Sequence, residues 1–230
     1  MSKLEGIIKD NLICLLKEQS ETLEFVEKLA ETGELLFFGG AVRDVYIKNE
    51  QKIFPRDFDI AIKFKNERKF YQLIEEYEFK KNRFGGYKFK ISGIDFDIWD
   101  LNNTWAFKNT DLAASEENLA RSVFLNIDGI VYNFNTGCLH AELLKETLKR
   151  SELDISLEEN PHVELNLLRA LVFKRKYNLD LSNKLKTVFK FYKERSNKDN
   201  LINNLFEVQL SHYKAEKLSR DELEKELHYI

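Results

Sequence analysis

The sequence predicts an α+β fold: a small mixed sheet with flanking helices in residues 1–136, followed by an all-helical region in residues 137–230. Three observations predict it. Apolar and polar residues alternate with a period of two in RDFDIAIK, YKFKI and IDFDIWD, the pattern of half-buried strands. Gly39-Gly40, Gly85-Gly86 and Ser92-Gly93 punctuate that region as turns. From about Leu139 onward the apolar residues recur almost entirely at helical spacing.

Residues 3–30 read as two short amphipathic helices, charged every few residues. Leu35–Phe38 is a short apolar run ending at the glycine pair, which suits a buried strand, and Ala41–Lys48 returns to helical spacing. In Arg56–Lys63, Phe58, Ile60 and Ile62 share one face, and Asp57, Asp59 and Ala61 share the other. Asn66–Tyr77 is helical, with Phe70, Leu73, Ile74 and Tyr77 on one side. KKNRF, YKFKI and IDFDIWD follow as three strands; in the last, Asp95, Asp97 and Trp99 share a face. Ser115 is a fitting N-cap for EENLAR. Asp128-Gly129, between VFLNI and IVYNF, predicts a hairpin. Asn160-Pro161 predicts the start of a helix that runs to about Tyr177, and Ser182 the cap of the next.

A composition of 43% hydrophobic and 33% charged residues excludes a disordered chain. No apolar run is long enough to span a membrane, and the charged N-terminus lacks the apolar centre of an export signal. Cys14 and Cys138 have neither redox nor metal-ligand spacing, so a reducing, cytoplasmic setting is expected. The four histidines are too scattered to hold zinc, and any metal is expected on carboxylates, which favours Mg2+ or Mn2+. The net charge of −3 conceals a basic stretch: Leu165–Lys198 holds ten Lys or Arg against Asp180 and Glu194. That stretch is either a solvated helix face or a surface for a polyanion such as RNA.

Phe37–Ile62, FFGGAVRDVYIKNEQKIFPRDFDIAI, concentrates the chemistry. Asp57 and Asp59 lie on one strand face about 6–7 Å apart. Two anions this close opposite an apolar face need a cation or water between them. Asp97 lies on the polar face of another strand, and if the strands are neighbours three carboxylates converge. Such a cluster suits two divalent ions gripping a triphosphate. Gly39-Gly40, between strand and helix, offers bare backbone amides to phosphate oxygens.

These motifs resemble the head and neck of the class II nucleotidyltransferases, the bacterial CCA-adding enzymes and poly(A) polymerases of the polymerase-beta-like superfamily. Their GG-x-V-R-D reads here Gly39-Gly40-Ala41-Val42-Arg43-Asp44, and their basic residue with D-x-D reads Arg56-Asp57-Phe58-Asp59. RFGGYKFKISGIDFDIWD is similar to their RFG segment and acidic strand, with Asp97 at the acidic position. SEENLARSVFLNI aligns Arg121 and Asn126 with their double-Arg motif, and LLRALVF is similar to the neck's L-R-A-x-R-F. The likeness covers roughly residues 35–180. It departs at Ala120, Ser122 and Phe124 of the double-Arg motif. It departs again in EENPHVELNLLRA, where one alignment puts Asn166 and another Val163 at the templating arginine.

The resemblance implies transfer of a nucleoside monophosphate from an NTP to an acceptor hydroxyl with release of pyrophosphate. Asp57, Asp59 and Asp97 would be the catalytic metal ligands for Mg2+ or Mn2+. Gly39, Gly40 and Arg43 would contact the triphosphate or sugar, and Asp44 would touch the ribose or anchor the loop. Arg121 and Asn126 would line the nucleotide pocket. The NTP partner would be joined by an RNA, a tRNA 3′ end above all, with Arg169, Lys174, Arg175 and Lys176 as candidate contacts. A small molecule or a protein hydroxyl is the alternative acceptor, and a non-catalytic nucleotide- or RNA-binding module the alternative class. Trp99 and Trp105 could stack on a base but are expected to pack, and Asp95 to be a flanking polar residue.

Overall fold

The computed structural model describes residues 3–49, 53, 55–196 and 198–230. It is an α+β chain that divides into two compact units: residues 1–122 with 128–143, and residues 123–127 with 144–230. Among the described residues no helix is long and apolar enough to cross a membrane.

In the first unit, helices α1 (Lys3–Lys17) and α2 (Ser20–Ala30) precede strand β1 (Gly33–Phe38), helix α3 (Gly40–Lys48) and strand β2 (Asp57–Phe64). Helix α4 (Glu67–Ile74) leads to β3 (Phe79–Lys81), β4 (Tyr87–Ile91) and β5 (Ile94–Asp100). Short helices α5 (Trp105–Asn109) and α6 (Glu116–Arg121) come before β6 (Val131–Asn133) and β7 (Leu139–His140). The seven strands form one mixed sheet in the order β3-β4-β5-β2-β1-β6-β7. β2 and β5 run parallel at its centre, and β1 and β4 flank them antiparallel.

The period-two pattern fixes which face carries what. On one face Phe25 of α2 packs on Phe89 and Phe96, Phe96 on Phe58, and Phe58 on Phe37, a buried aromatic core with ring centroids 5.3–5.9 Å apart. The other face has a smaller apolar centre of Leu36, Ala61, Leu101, Leu119, Ala120 and Val131, with Phe38 and Phe107 packed on it. The aspartate end of β2 and β5 extends beyond that centre. Ser115 caps α6 as expected, its side chain accepting from Asn118 N.

In the second unit, which takes helix α7 (Glu142–Arg150) from Leu144 onward, α7 and strand β8 (Glu152–Leu153) precede α8 (Val163–Tyr177), strand β9 (Asp180–Leu181), α9 (Asn183–Ser196), α10 (Lys198–Tyr213) and α11 (Arg220–His228). β8 and β9 pair in parallel, a two-stranded element that helical periodicity does not disclose. The Ser182 hydroxyl accepts from Leu185 N and so caps α9. Asn160 is not the N-cap of α8, which starts at Val163. Its carboxamide instead accepts from His162 N and from the side chain of Asn166, closing a turn ahead of the helix.

Two strand expectations are corrected. Only Phe79–Lys81 of the KKNRF region is extended, because the Asn82 side chain accepts from Phe84 N and Gly86 N and curls the chain early. No hairpin forms across Asp128-Gly129. Val123–Ile127 pairs with the segment after β8: Leu125 bridges Ile155, Ser156 N donates to Phe124 O and Leu157 N to Val123 O. Asn126–Asp128 then tightens into a 3-10 turn. The hairpin in this region joins β6 to β7, where Asn133 Oδ1 accepts from Asn135 N and Thr136 N, and Gly137 takes a φ of 77°.

Candidate active site

Register assembles the site. β1 pairs with β2 so that Phe38 lies opposite Asp59, which places the next residue, Gly39, beside that carboxylate. Gly39 has φ 69° and ψ −148°, open in practice to glycine alone, and a Cβ there would lie 2.8 Å from Asp59 Oδ2. The chain then enters α3, where Val42 N and Arg43 N donate to Gly39 O and the opening amides of Gly40 and Ala41 have no partner within the helix. Strand end, turn, helix N-terminus and carboxylate thus sit together.

β2 and β5 pair in parallel with Asp57 opposite Asp95 and Asp59 opposite Asp97. Because alternate residues share a face, all four carboxylates project from the same side of two adjacent strands. Asp97 is the tightest of the arrangement. Burial pushes its carboxyl above the ordinary range, Lys88 opposes that shift, and the charges of Asp57 and Asp95 add to it. Two cations answer the cluster: Lys88 Nζ lies 3.1 Å from Asp97 Oδ2, and Arg56 Nη2 lies 2.8 Å from Asp57 Oδ2.

All-oxygen donors on one face match the chemistry of Mg2+ or Mn2+. Among the described residues no group of three His, Cys, Asp or Glu side chains stands ready to hold a metal ion. The carboxylates of Asp57 and Asp97 are turned to Arg56 and Lys88 instead. Residue type and backbone position therefore fit a divalent ion, which would exchange with these two cations.

Arg43 and Asp44 lie in the first turns of α3. The Arg43 guanidinium is buried, with Nη1 2.5 Å from Asp128 Oδ1 and Nη2 2.7 Å from Asp44 Oδ1. It is thus gripped by two carboxylates of its own unit. Arg121, at the end of α6, is exposed and pairs with Glu117 one turn back at 2.8 Å. Asn126 belongs to the other unit, where its carboxamide accepts from Asp154 N and donates to Glu152 O. Trp99 packs: its ring lies 5.8 Å from that of Phe38, and a Cβ on Gly86 would strike its Nε1 at 2.3 Å.

The four candidate RNA contacts on α8 are all engaged within the second unit. Arg169 lies over Phe173 and Lys176 over Tyr177. Lys174 pairs with Glu226 and Arg175 with Glu222, both glutamates on α11.

Sequence reasoning passed over Lys88 and Asp128. Lys88 was within reach: the two-residue Ser92-Gly93 turn, with φ of 47° and 86°, pairs Lys90 with Asp95 and Lys88 with Asp97. Asp128 had no such local signal, since its partner lies 85 positions away.

No protein-family model and no curated protein sequence matches the chain. Solved structures do match. The Thermotoga maritima CCA-adding enzyme complexed with tRNA aligns with 99% of this chain and 54% of its own, at a TM-score of 0.63 and 15% identity. A tRNA nucleotidyltransferase complexed with a primer tRNA and an incoming ATP analog aligns over 79% of this chain and 57% of its own, with TM-score 0.51 and 20% identity. A CCA-adding enzyme complexed with ATP covers 80% of this chain and 45% of its own, with TM-score 0.53 and 19% identity. The chain therefore spans about half the length of these proteins and shares their fold over the aligned part.

Proposed function

We propose that this chain is a metal-dependent nucleotidyltransferase that moves a nucleoside monophosphate from an NTP to an acceptor hydroxyl, an RNA 3′ end such as that of tRNA. The observation that carries the reading is the register of Asp57, Asp59 and Asp97 on one face, directly beside the Gly39-Gly40 entry to α3. The fold neighbours, solved with tRNA or ATP, support it in kind.

Asp57, Asp59 and Asp97 would hold Mg2+ or Mn2+, which supplies charge neutralisation along the triphosphate. The amides after Gly39 would receive phosphate oxygens at the helix N-terminus. Asp97 would take the proton of the acceptor hydroxyl in its ionised form as the hydroxyl oxygen attacks the α-phosphorus, and the burial that raises its carboxyl makes that carboxylate the stronger base. The bond from the α-phosphorus to the β-bridging oxygen breaks, and pyrophosphate leaves with the electron pair. Positioning and electrostatics do the work, with no covalent enzyme intermediate. Arg43 would act on the nucleotide chiefly by fixing the start of α3 against Asp128.

A second acceptor class is favoured by one observation. Glu222 and Glu226 neutralise Arg175 and Lys174, which thins the basic surface that an RNA would use. A small molecule or a protein hydroxyl is that second reading. The test is transfer of α-phosphate label from each NTP, with Mg2+, into total RNA, beside the Asp57→Asn/Asp59→Asn double variant. Labelled RNA that the variant fails to produce supports the first reading. Aspartate-dependent pyrophosphate release without labelled RNA supports the second, and neither signal overturns both.

A further inference from the structure

Lys88 stands where a metal site has no obvious use for a lysine. It projects from β4 directly opposite Asp97, on the same face as the aspartates, and its ammonium lies 3.1 Å from Asp97 Oδ2. An ordinary cross-strand pair on an open sheet matches one cation with one anion. Here the ammonium answers several. Burial works against its charge, yet Asp97 first, then Asp95 and Asp57, outweigh that and raise it. Two of those three are proposed metal ligands.

We infer that Lys88 is a tethered counter-ion: it occupies Asp97 when the site is empty and must give way before a divalent ion can bind. The inference rests on the metal-dependent reading above. A clustered set of carboxylates is costly without positive charge, and Lys88 supplies it at no diffusional cost. The same charge repels an incoming divalent ion at close range. Metal alone is therefore disfavoured, while metal arriving with a triphosphate brings anionic oxygens to which the released ammonium can turn. Lys88 would thus couple metal binding to nucleotide binding, as a positioning residue. Side-chain length suits the exchange: Lys88 is nearly half exposed, and its four-carbon stem leaves the ammonium free to swing.

The test measures Mn2+ binding directly, by the paramagnetic resonance of the free ion, with and without a non-hydrolysable ATP analogue. Wild type, Lys88→Met, Lys88→Gln, Lys88→Arg and Asp57→Asn/Asp59→Asn are compared, each checked for folding by circular dichroism. Without nucleotide, Lys88→Met and Lys88→Gln should bind Mn2+ at least about tenfold more tightly than wild type, and the enhancement by nucleotide should shrink by a similar factor. Lys88→Arg keeps the charge and should stay near wild type. Unchanged or weaker Mn2+ binding in both neutral variants, with wild-type binding still dependent on the aspartates, overturns the tethered counter-ion and leaves the metal site standing. Wild type that binds no Mn2+ through the aspartates, even with the analogue, overturns both.

Discussion

Replacing Arg43 by Met should destabilise the first unit more than any loss of a surface ion pair could. The side chains of Arg43 and Asp128 are 7% and 6% exposed, and the two lie 2.5 Å apart. Exposed pairs contribute about 0–1 kcal/mol. Removing one partner of a buried pair costs about 3–5 kcal/mol, because the other charge stays in a poorly solvating site. Against a total stability of about 5–15 kcal/mol that is a large fraction. At about 2–4 °C per kcal/mol for a chain of this size, the midpoint should fall by roughly 6–20 °C. Thermal melts followed by near-UV circular dichroism would read this from the aromatic core. Asp128→Asn and the Arg43→Met/Asp128→Asn double variant complete a cycle, in which the double variant should recover at least about 1 kcal/mol relative to additivity. An Arg43→Met loss below about 1 kcal/mol, or strict additivity, would refute the idea that the pair is a buried, coupled structural unit.

Gly39→Ala should cost about 1–3 kcal/mol for its backbone conformation and cut transfer activity sharply, because the new methyl meets Asp59 Oδ2 at 2.8 Å; melts and initial rates measured together check both halves. Gly33→Ala puts a Cβ 2.4 Å from the Lys63 carbonyl oxygen across the β1–β2 pair, so the strands must part; a stability loss of about 1–3 kcal/mol in denaturant titration is expected. Asp97→Asn should stabilise the metal-free protein at neutral pH: a carboxyl raised in the folded state penalises folding as pH rises above its ordinary 3.8 and through the folded value. The gain over wild type should therefore fade in melts below about pH 4, the unfolded carboxylate range, while transfer is lost throughout. Glu222→Gln/Glu226→Gln frees Arg175 and Lys174, so RNA affinity should rise and its logarithmic salt slope steepen by about 1–2 in filter binding.

The sequence discloses where the carboxylates stand because that depends on short-range rules. Period two assigns Asp57 and Asp59 to one face of β2, and Asp95 and Asp97 to one face of β5. The Ser92-Gly93 turn fixes Lys88 against Asp97 within a stretch of ten residues. The parallel pairing of β2 with β5 that brings Asp59 abreast of Asp97 is not local, and the sequence offers it only as a condition, that the two strands be neighbours. Local signals can also be outcompeted. Asp128-Gly129 has good hairpin chemistry, yet Val123–Ile127 gains backbone partners at Ile155–Leu157 instead and leaves the turn with nothing to join.

What stays hidden is which charges are already neutralised. Arg43 reads from its motif as a free cation at a phosphate site, and Lys174 with Arg175 as a free basic surface. Each is claimed by an acid far along the chain: Asp128 for the first, Glu226 and Glu222 for the others. A buried guanidinium needs such a partner whatever else it does, since its desolvation is too costly to leave uncompensated. The position of a charge is thus decided by its strand or helix, and its availability to a ligand by tertiary pairing. For the proposed active site this reverses the natural reading of the cations. Arg43, inside the glycine motif, is committed to the fold, while Lys88 and Arg56, outside it, are the exposed groups that a metal and a triphosphate would displace or recruit.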